Sequence, residues 1–233
     1  YTEQFEDVVS LVGGVDSQHY RMTHCLHDGR GNTWVAIAGL GVARFSDADD
    51  ASPVRIDAFF DAPALGGDVT AMYVDAGERT ARTLCETASP AFSFTADAEY
   101  VYCATADEVV RTGRRDGTLT RLPGGGAPLT AIVADSVRRT VYAGSRSGEL
   151  YRVSGDRLAR LNPKGARPRR IRDLAADSHG IVWVTSAETG ITRYNPATDD
   201  YKHFEQQPYT VSYNIDTLTK IAEGGGLLWS KMN

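Results

Sequence analysis

The densest run of functional groups in this 233-residue chain is KGARPRRIR, in which Lys164, Arg167, Arg169, Arg170 and Arg172 follow one another with no acid among them. Planar guanidinium groups hold carboxylates and sulfates through paired hydrogen bonds, so the run is a candidate anion site as well as a plain solvated loop. Two further segments mix aromatic, amide and guanidinium groups: QQPYTVSYN, with Tyr209, Tyr213 and Asn214, and DSQHYR, with His19, Tyr20 and Arg21. That mixture suits a carbohydrate, because rings cover sugar CH faces and fixed polar groups read the hydroxyls. Arg146 and Glu188 stand alone in short polar stretches.

Catalytic and metal chemistry find less support. His24 and His27 of HCLH are three apart, which on a strand points them to opposite faces, so they do not form a shared metal site. Asp28, Asp135 and Asp177 each stand in a polar turn, where an aspartate ordinarily caps backbone amides of its own turn. Cys25, Cys85 and Cys103 are odd in number and widely spaced, which excludes a disulfide framework or a Cys-x-x-Cys clip and suits small buried hydrophobes. The glycine-rich GGDV and PGGGAP lack the lysine and helix of a phosphate loop and read as connections. With no nucleophile beside a base and no ligand cluster, the chain is expected to have no catalytic residues, no metal and no cofactor.

Composition narrows the partners. Hydrophobic residues at 42% and charged residues at 24% are those of a folded globular chain. A net charge of −5 has the wrong sign for general phosphate-backbone binding, so nucleic acid is not an expected partner. No stretch is long and apolar enough to span a bilayer, and Tyr1 is followed by polar residues. The expectation is a cytoplasmic chain or an excised, exported piece, meeting a membrane only through segments not present here.

The elements that must position these groups are visible as a repeat. HDGRGNTWVAIAGLGVARFS (27–46) aligns without a gap to ADSHGIVWVTSAETGITRYN (176–195), matching Asp28 to Asp177, Trp34 to Trp183, Gly41 to Gly190 and Arg44 to Arg193. A third copy carries Asp135, Tyr142, Gly148 and Arg152 in the same order. Weaker ones centre on Tyr102 and Trp229, so the aromatic positions 102, 142, 183 and 229 are 40 to 46 residues apart, the period of a four-stranded propeller blade. Within a unit, IRDLAA reads as an innermost strand, IVWVTS as a second strand apolar on both faces, ITRYN as a third and YKHF as a polar outer strand. The tryptophans recur at one position and read as packing between blades. Links between blades, such as KGARPRRIR, and turns after second strands, such as that of Arg146, then open onto the same face.

The fold expectation is therefore an all-β propeller of four-stranded antiparallel blades, five to six of them visible, forming a single domain over 1–233, whole or part of a longer array. The stretch 69–94 is a worn-down blade or an insertion, because the 68 residues between Trp34 and Tyr102 fit neither one blade step nor two.

Over Gly180 to Trp229 the sequence resembles the two-component regulator propeller repeats of hybrid two-component sensors. The resemblance rests on Asp177, Gly180 and Trp183, on Gly190, Arg193, Tyr194 and Pro196, and on Ser212, Asn214 and Ile215. It implies a periplasmic, non-catalytic sensor domain that binds glycan fragments, joined elsewhere to a membrane helix, a histidine kinase and a response regulator that controls carbohydrate utilisation. The site residues expected from the links and turns of that face are Arg169, Arg170, Arg172, Tyr209, Tyr213, Asn214, Tyr20, Arg21 and Arg146, with an oligosaccharide, anionic by the basic link, as partner. A homodimer is also compatible. The other readings are an interaction or dimerisation scaffold and a propeller lyase or hydrolase. A sialidase Asp box places its Asp five residues before the Trp, whereas Asp28 and Asp177 stand six before Trp34 and Trp183.

Overall fold

A strand that is apolar on both faces needs cover on both sides, and stacked sheets supply it. The computed structural model of the chain describes residues 22–27, 32–46, 56–61, 63, 87–186, 190–204, 217–220 and 227–230, and none of them is helical. Four sheets are four-stranded meanders: β1 (Met22–His27) to β4 (Ile56–Asp61) through β2 (Asn32–Ile37) and β3 (Gly41–Ser46); β5 (Ser93–Ala96), β6 (Tyr100–Ala104), β7 (Glu108–Gly113) and β8 (Leu119–Pro123); β9 (Leu129–Asp135), β10 (Thr140–Ser145), β11 (Leu150–Ser154) and β12 (Arg157–Arg160); β13 (Ile171–Ala176), β14 (Val182–Ser186), β15 (Gly190–Asn195) and β16 (Asp200–Phe204). A further pair, β17 (Thr217–Lys220) and β18 (Leu227–Ser230), follows. Each pairing within a sheet is antiparallel and joins strands consecutive in sequence.

The chain divides into two compact units, residues 1–86 and 87–233. In the first, Trp34 packs with Ala36, Val42 and Phe60, its ring stacked on Phe60 at 6.1 Å between centroids. In the second, consecutive sheets bury their faces against each other. Tyr102, Val109 and Leu122 of one sheet meet Leu129, Ile132, Val141 and Tyr151 of the next. Tyr142 and Leu150 then meet Ile171, Leu174, Val182, Val184, Tyr194 and Tyr201 of the sheet after that. The innermost strands also need partners for their free edges. The hydroxyl oxygens of Ser93 and Thr95 accept the Ile132 and Ala134 amides at 3.1 and 2.9 Å, and the Thr130 hydroxyl donates to the Ile171 carbonyl at 2.7 Å. Residues 93 and 94 belong to the regular strand β5, whereas 69–86 lie outside the described residues, as does the Asp28 turn.

The repeated aspartates do what turn chemistry expects. Asp135 Oδ1 accepts the Val137 and Arg138 amides, and Asp177 Oδ1 accepts those of His179 and Ile181. Asp97, which sequence comparison did not single out, does the same for Glu99 and Tyr100. Its second oxygen takes the Tyr102 hydroxyl at 2.8 Å, as Asp177 takes the Trp183 indole N–H at 2.9 Å. Each of these two carboxylates thus ties its turn to the aromatic residue of the second strand. Trp183 is half-buried rather than enclosed like Trp34, with its ring against Phe204 at 5.6 Å.

Arg44, Arg111 and Arg193 face Trp34, Tyr102 and Trp183 across the second and third strands. Arg111 lies 4.6 Å from the Tyr100 ring centroid and reaches the next sheet, where it donates to the Gly155 carbonyl at 3.1 Å and to Asp156 at 2.8 Å. Asp156 is 81% exposed, so water weakens the ion pair, and most of the clasp comes from the ring and the carbonyl. Arg111→Ala is expected to cost about 1–2 kcal/mol, read from the urea midpoint.

Candidate functional site

In an antiparallel meander, turns from second to third strand share one end of the sheet with the links leaving the fourth strand. Backbone hydrogen bonds knit the two together here. Gly124 and Leu129, at the ends of the β8–β9 link, donate to Asp107 and Ala106 of the β6–β7 turn at 2.7 and 3.0 Å, and the Arg146 amide of the β10–β11 turn donates to Pro128 at 2.7 Å. The β12–β13 link, residues 161–170, is held in the same way. A Cβ on Gly148, whose φ is +85°, would collide with the Pro168 carbonyl, so only glycine lets the turn approach this closely. On the other side the Ser186 hydroxyl donates to the Arg169 carbonyl.

Earlier in the link, the Lys164 amide donates to Asp199 at 2.8 Å and the Tyr201 amide donates to the Lys164 carbonyl at 2.8 Å, so that Lys164 pairs in parallel with Asp200. His203 Nε2 donates to the Ala166 carbonyl, and Nδ1 meets the Thr192 hydroxyl at 2.7 Å. The basic link therefore covers the outer edge of β16, and an otherwise open strand edge is protected.

Glu149 is the electrostatic hub beneath this face. Its carboxylate accepts the Tyr151 hydroxyl at 2.7 Å and the Ser147 hydroxyl at 3.0 Å, and it pairs with Arg160 at 3.0 Å and Arg167 at 3.7 Å. The Tyr151 hydrogen bond is the largest influence that holds the Glu149 carboxyl below its ordinary range, with Ser147 and the two arginines adding to it against the effect of burial. Burial first, then the bond to Glu149, pushes the Tyr151 hydroxyl up to about 12. The Tyr151 ring is packed under Gly125 of the β8–β9 link, where a Cβ would strike it.

Of the residues expected from sequence to bind, Arg146, Arg169, Arg170 and Arg172 are exposed and lie on these segments. The structure brings Arg146 and Arg169 onto adjoining backbones through the Gly148 and Pro168 contact. Arg170 has φ +53°, a left-handed conformation that a residue with a Cβ seldom adopts. The register between β13 and β14 shifts at Ile171/Asp173, and the bulge takes Arg172 out of the regular alternation. Tyr20, Arg21, Glu188, Tyr209, Tyr213 and Asn214 lie outside the described residues, as do the side chains of His24, His27 and Trp229.

Sequence reasoning did not single out Glu149, Tyr151 or Arg160. Cross-strand register reveals the available signal: Arg44, Arg152 and Arg193 are equivalent, so Glu149 occupies the place of Gly41 and Gly190. An acid where the repeat calls for glycine was legible. Among the described residues no group of three or more His, Cys, Asp and Glu is placed to hold a metal ion. Cys103 is buried in β6.

No family model and no curated protein matches the chain. Among solved structures, it superposes on the extracellular domains of two hybrid two-component systems from B. thetaiotaomicron. The first has a TM-score of 0.65 at 12% identity, over 89% of this chain and 30% of that one. The second has a TM-score of 0.66 at 14% identity, over 90% and 31%. The fold is a β-propeller. The chain thus spans less than a third of the length of either extracellular domain. The propeller also superposes on virginiamycin B lyase from Staphylococcus aureus, with a TM-score of 0.53 at 10% identity over 89% of this chain and 62% of the lyase.

Proposed function

We propose that this propeller is part of the extracytoplasmic input region of a two-component sensor, and that it binds glycan fragments on the face formed by its inter-blade links, so that a kinase and regulator elsewhere adjust carbohydrate utilisation. The observation that carries the reading is the superposition of nine-tenths of the chain on extracellular domains of hybrid two-component systems, in agreement with the repeat residues Asp177, Trp183, Gly190, Arg193 and Pro196. The braced links support it, because a ligand is read best by groups on a fixed frame. In this reading the domain performs no chemistry.

A panel of glycan fragments tests the proposal by thermal shift. A ligand that binds only the folded state stabilises it by about 2.7 kcal/mol at a hundred times its Kd, so at least one fragment is expected to raise the melting temperature by several degrees. A melting temperature unmoved by every fragment would leave the scaffold or homodimer reading.

A catalytic reading has one observation behind it, the superposition on a lyase. Of the two histidines with described side chains, His203 is engaged by Thr192 and Ala166, and His179 stands in the Asp177 turn. That turn joins a first to a second strand, the end of the sheet opposite the links. Turnover of a glycan or lactone, lost on changing His19 or His24, would establish this reading instead.

A further inference from the structure

We infer that Arg160 of β12 and Arg167 of the β12–β13 link form a two-arginine clamp for the carboxylate of an acidic sugar, aimed by the Glu149 carboxylate beneath them. The inference rests on the proposed glycan-binding reading and names a ligand class and a site within the same face.

The way Glu149 is shared is the first argument. Its Oε2 accepts the Tyr151 and Ser147 hydroxyls, so Oε1 alone serves both guanidinium groups. Arg160 reaches that oxygen at 3.0 Å, whereas Arg167 stands 3.7 Å from it, an ion pair longer than a hydrogen bond. Two cations against one anion leave the cluster with a net positive charge, and among the described residues neither guanidinium has a further hydrogen bond or ion pair. A guanidinium carries five N–H donors in a planar fork, and the side chains of Arg160 and Arg167 are 58% and 50% exposed. Most of these donors therefore face water, where a second carboxylate can take what Glu149 does not use. Glu149 is only 13% exposed, so it steers the two arginines from below and does not itself meet the ligand.

Preorganisation is the second argument. Arg160 stands opposite Tyr151 in the β11–β12 ladder. The residues on either side of Arg167 are fixed, because the Ala166 carbonyl accepts His203 Nε2 and the Pro168 carbonyl lies against Gly148. Guanidinium groups from a strand and from a link thus converge on one point, with little backbone ordering required on binding. The blade does not need the acid that gathers them, since Gly41 and Gly190 occupy the place of Glu149 in sheets of the same four-stranded form. A long polyanion fits less well than a short acidic sugar, because a chain with a net charge of −5 repels it away from the clamp.

The full chain is titrated calorimetrically with trigalacturonic acid, with its neutral methyl ester and with a hyaluronan tetrasaccharide, at low and raised salt. At least one of the two acids is expected to bind, more weakly as salt rises, and about tenfold or more weakly in Arg160→Gln/Arg167→Gln. Arg167→Gln alone, which removes only the looser ion pair, should weaken binding in the same direction and guards against a folding defect in the double variant. Arg157→Gln removes an equal charge from the other end of β12 and should leave the affinity within about twofold of wild type. If Arg157→Gln weakens binding as much as the double variant, a diffuse field holds the ligand and the clamp falls. If the methyl ester binds as well as the acid, without salt dependence, the clamp falls and the glycan sensor stands. If a triglutamate peptide competes as well as the sugars, the charge is read without the sugar and the assignment falls. If neither acid binds, the inference falls, and the wider panel of fragments decides the glycan reading separately.

Discussion

Tyr151→Ala should lower folding stability by about 3–5 kcal/mol. The ring is 2% exposed and sits in the cluster that joins the sheet of β5–β8 to that of β9–β12, beside Leu122, Leu129 and Val141. Its removal opens a cavity that Gly125, having no side chain, cannot fill from above. The hydroxyl adds a separate effect, since the alanine variant also takes from Glu149 the donor that most favours its charge. Tyr151→Phe separates the two. It keeps the packing and loses one hydrogen bond to a charged acceptor, so a loss of about 1.5–3 kcal/mol is expected in urea unfolding. If Phe costs as much as Ala, the ring contributes nothing and the packing account is wrong.

The same residue shows where the sequence was legible and where it was not. Blade spacing could be read because the units of Trp34, Tyr102, Tyr142 and Trp183 each place an aromatic residue on the second strand and an Asp before it, and both types have one-dimensional signatures: an apolar run and a polar turn. The role of Asp135 and Asp177 followed from turn chemistry alone. Glu149 did not, since Arg160 reaches it only through the β11–β12 register, opposite Tyr151, and Arg167 through a link whose path along β16 depends on Lys164 pairing with Asp200, a contact 36 positions away that no local pattern announces. IRDLAA alternates as a strand should, yet its register with β14 shifts between Ile171 and Asp173, as the registers of β1 and β9 with their second strands shift near their own starts, and the alternation carries no sign of it. The basic run was visible as charge. Its frame, made of Gly148, the Pro128 carbonyl and the Ser186 hydroxyl, was not, because contacts to backbone carbonyls leave no signature in the residues that carry those carbonyls.

Asp177→Ala is expected to cost about 2–4 kcal/mol, through loss of a turn cap and an indole N–H left without its acceptor. The carboxylate is 9% exposed and serves His179, Ile181 and Trp183 at 2.9, 3.0 and 2.9 Å. Burial acts to raise its pKa, but the hydrogen bonds from Trp183, Ile181 and His179 outweigh burial and hold the carboxyl below its ordinary value in the folded protein. A group depressed on folding contributes stability that is fully present above its unfolded pKa, about 3.9, and is lost as pH falls through the lower folded value. Wild-type stability should therefore decline below about pH 4 more steeply than that of Asp177→Asn, which keeps an acceptor for the indole but has no charge to lose. At pH 7 the Asn variant should be the weaker protein, and the gap should narrow as the pH falls. A gap that stays constant from pH 7 to pH 3 would mean that folding leaves the carboxyl pKa unshifted, and that the hydrogen bonds from Trp183, Ile181 and His179 do not favour its charged form.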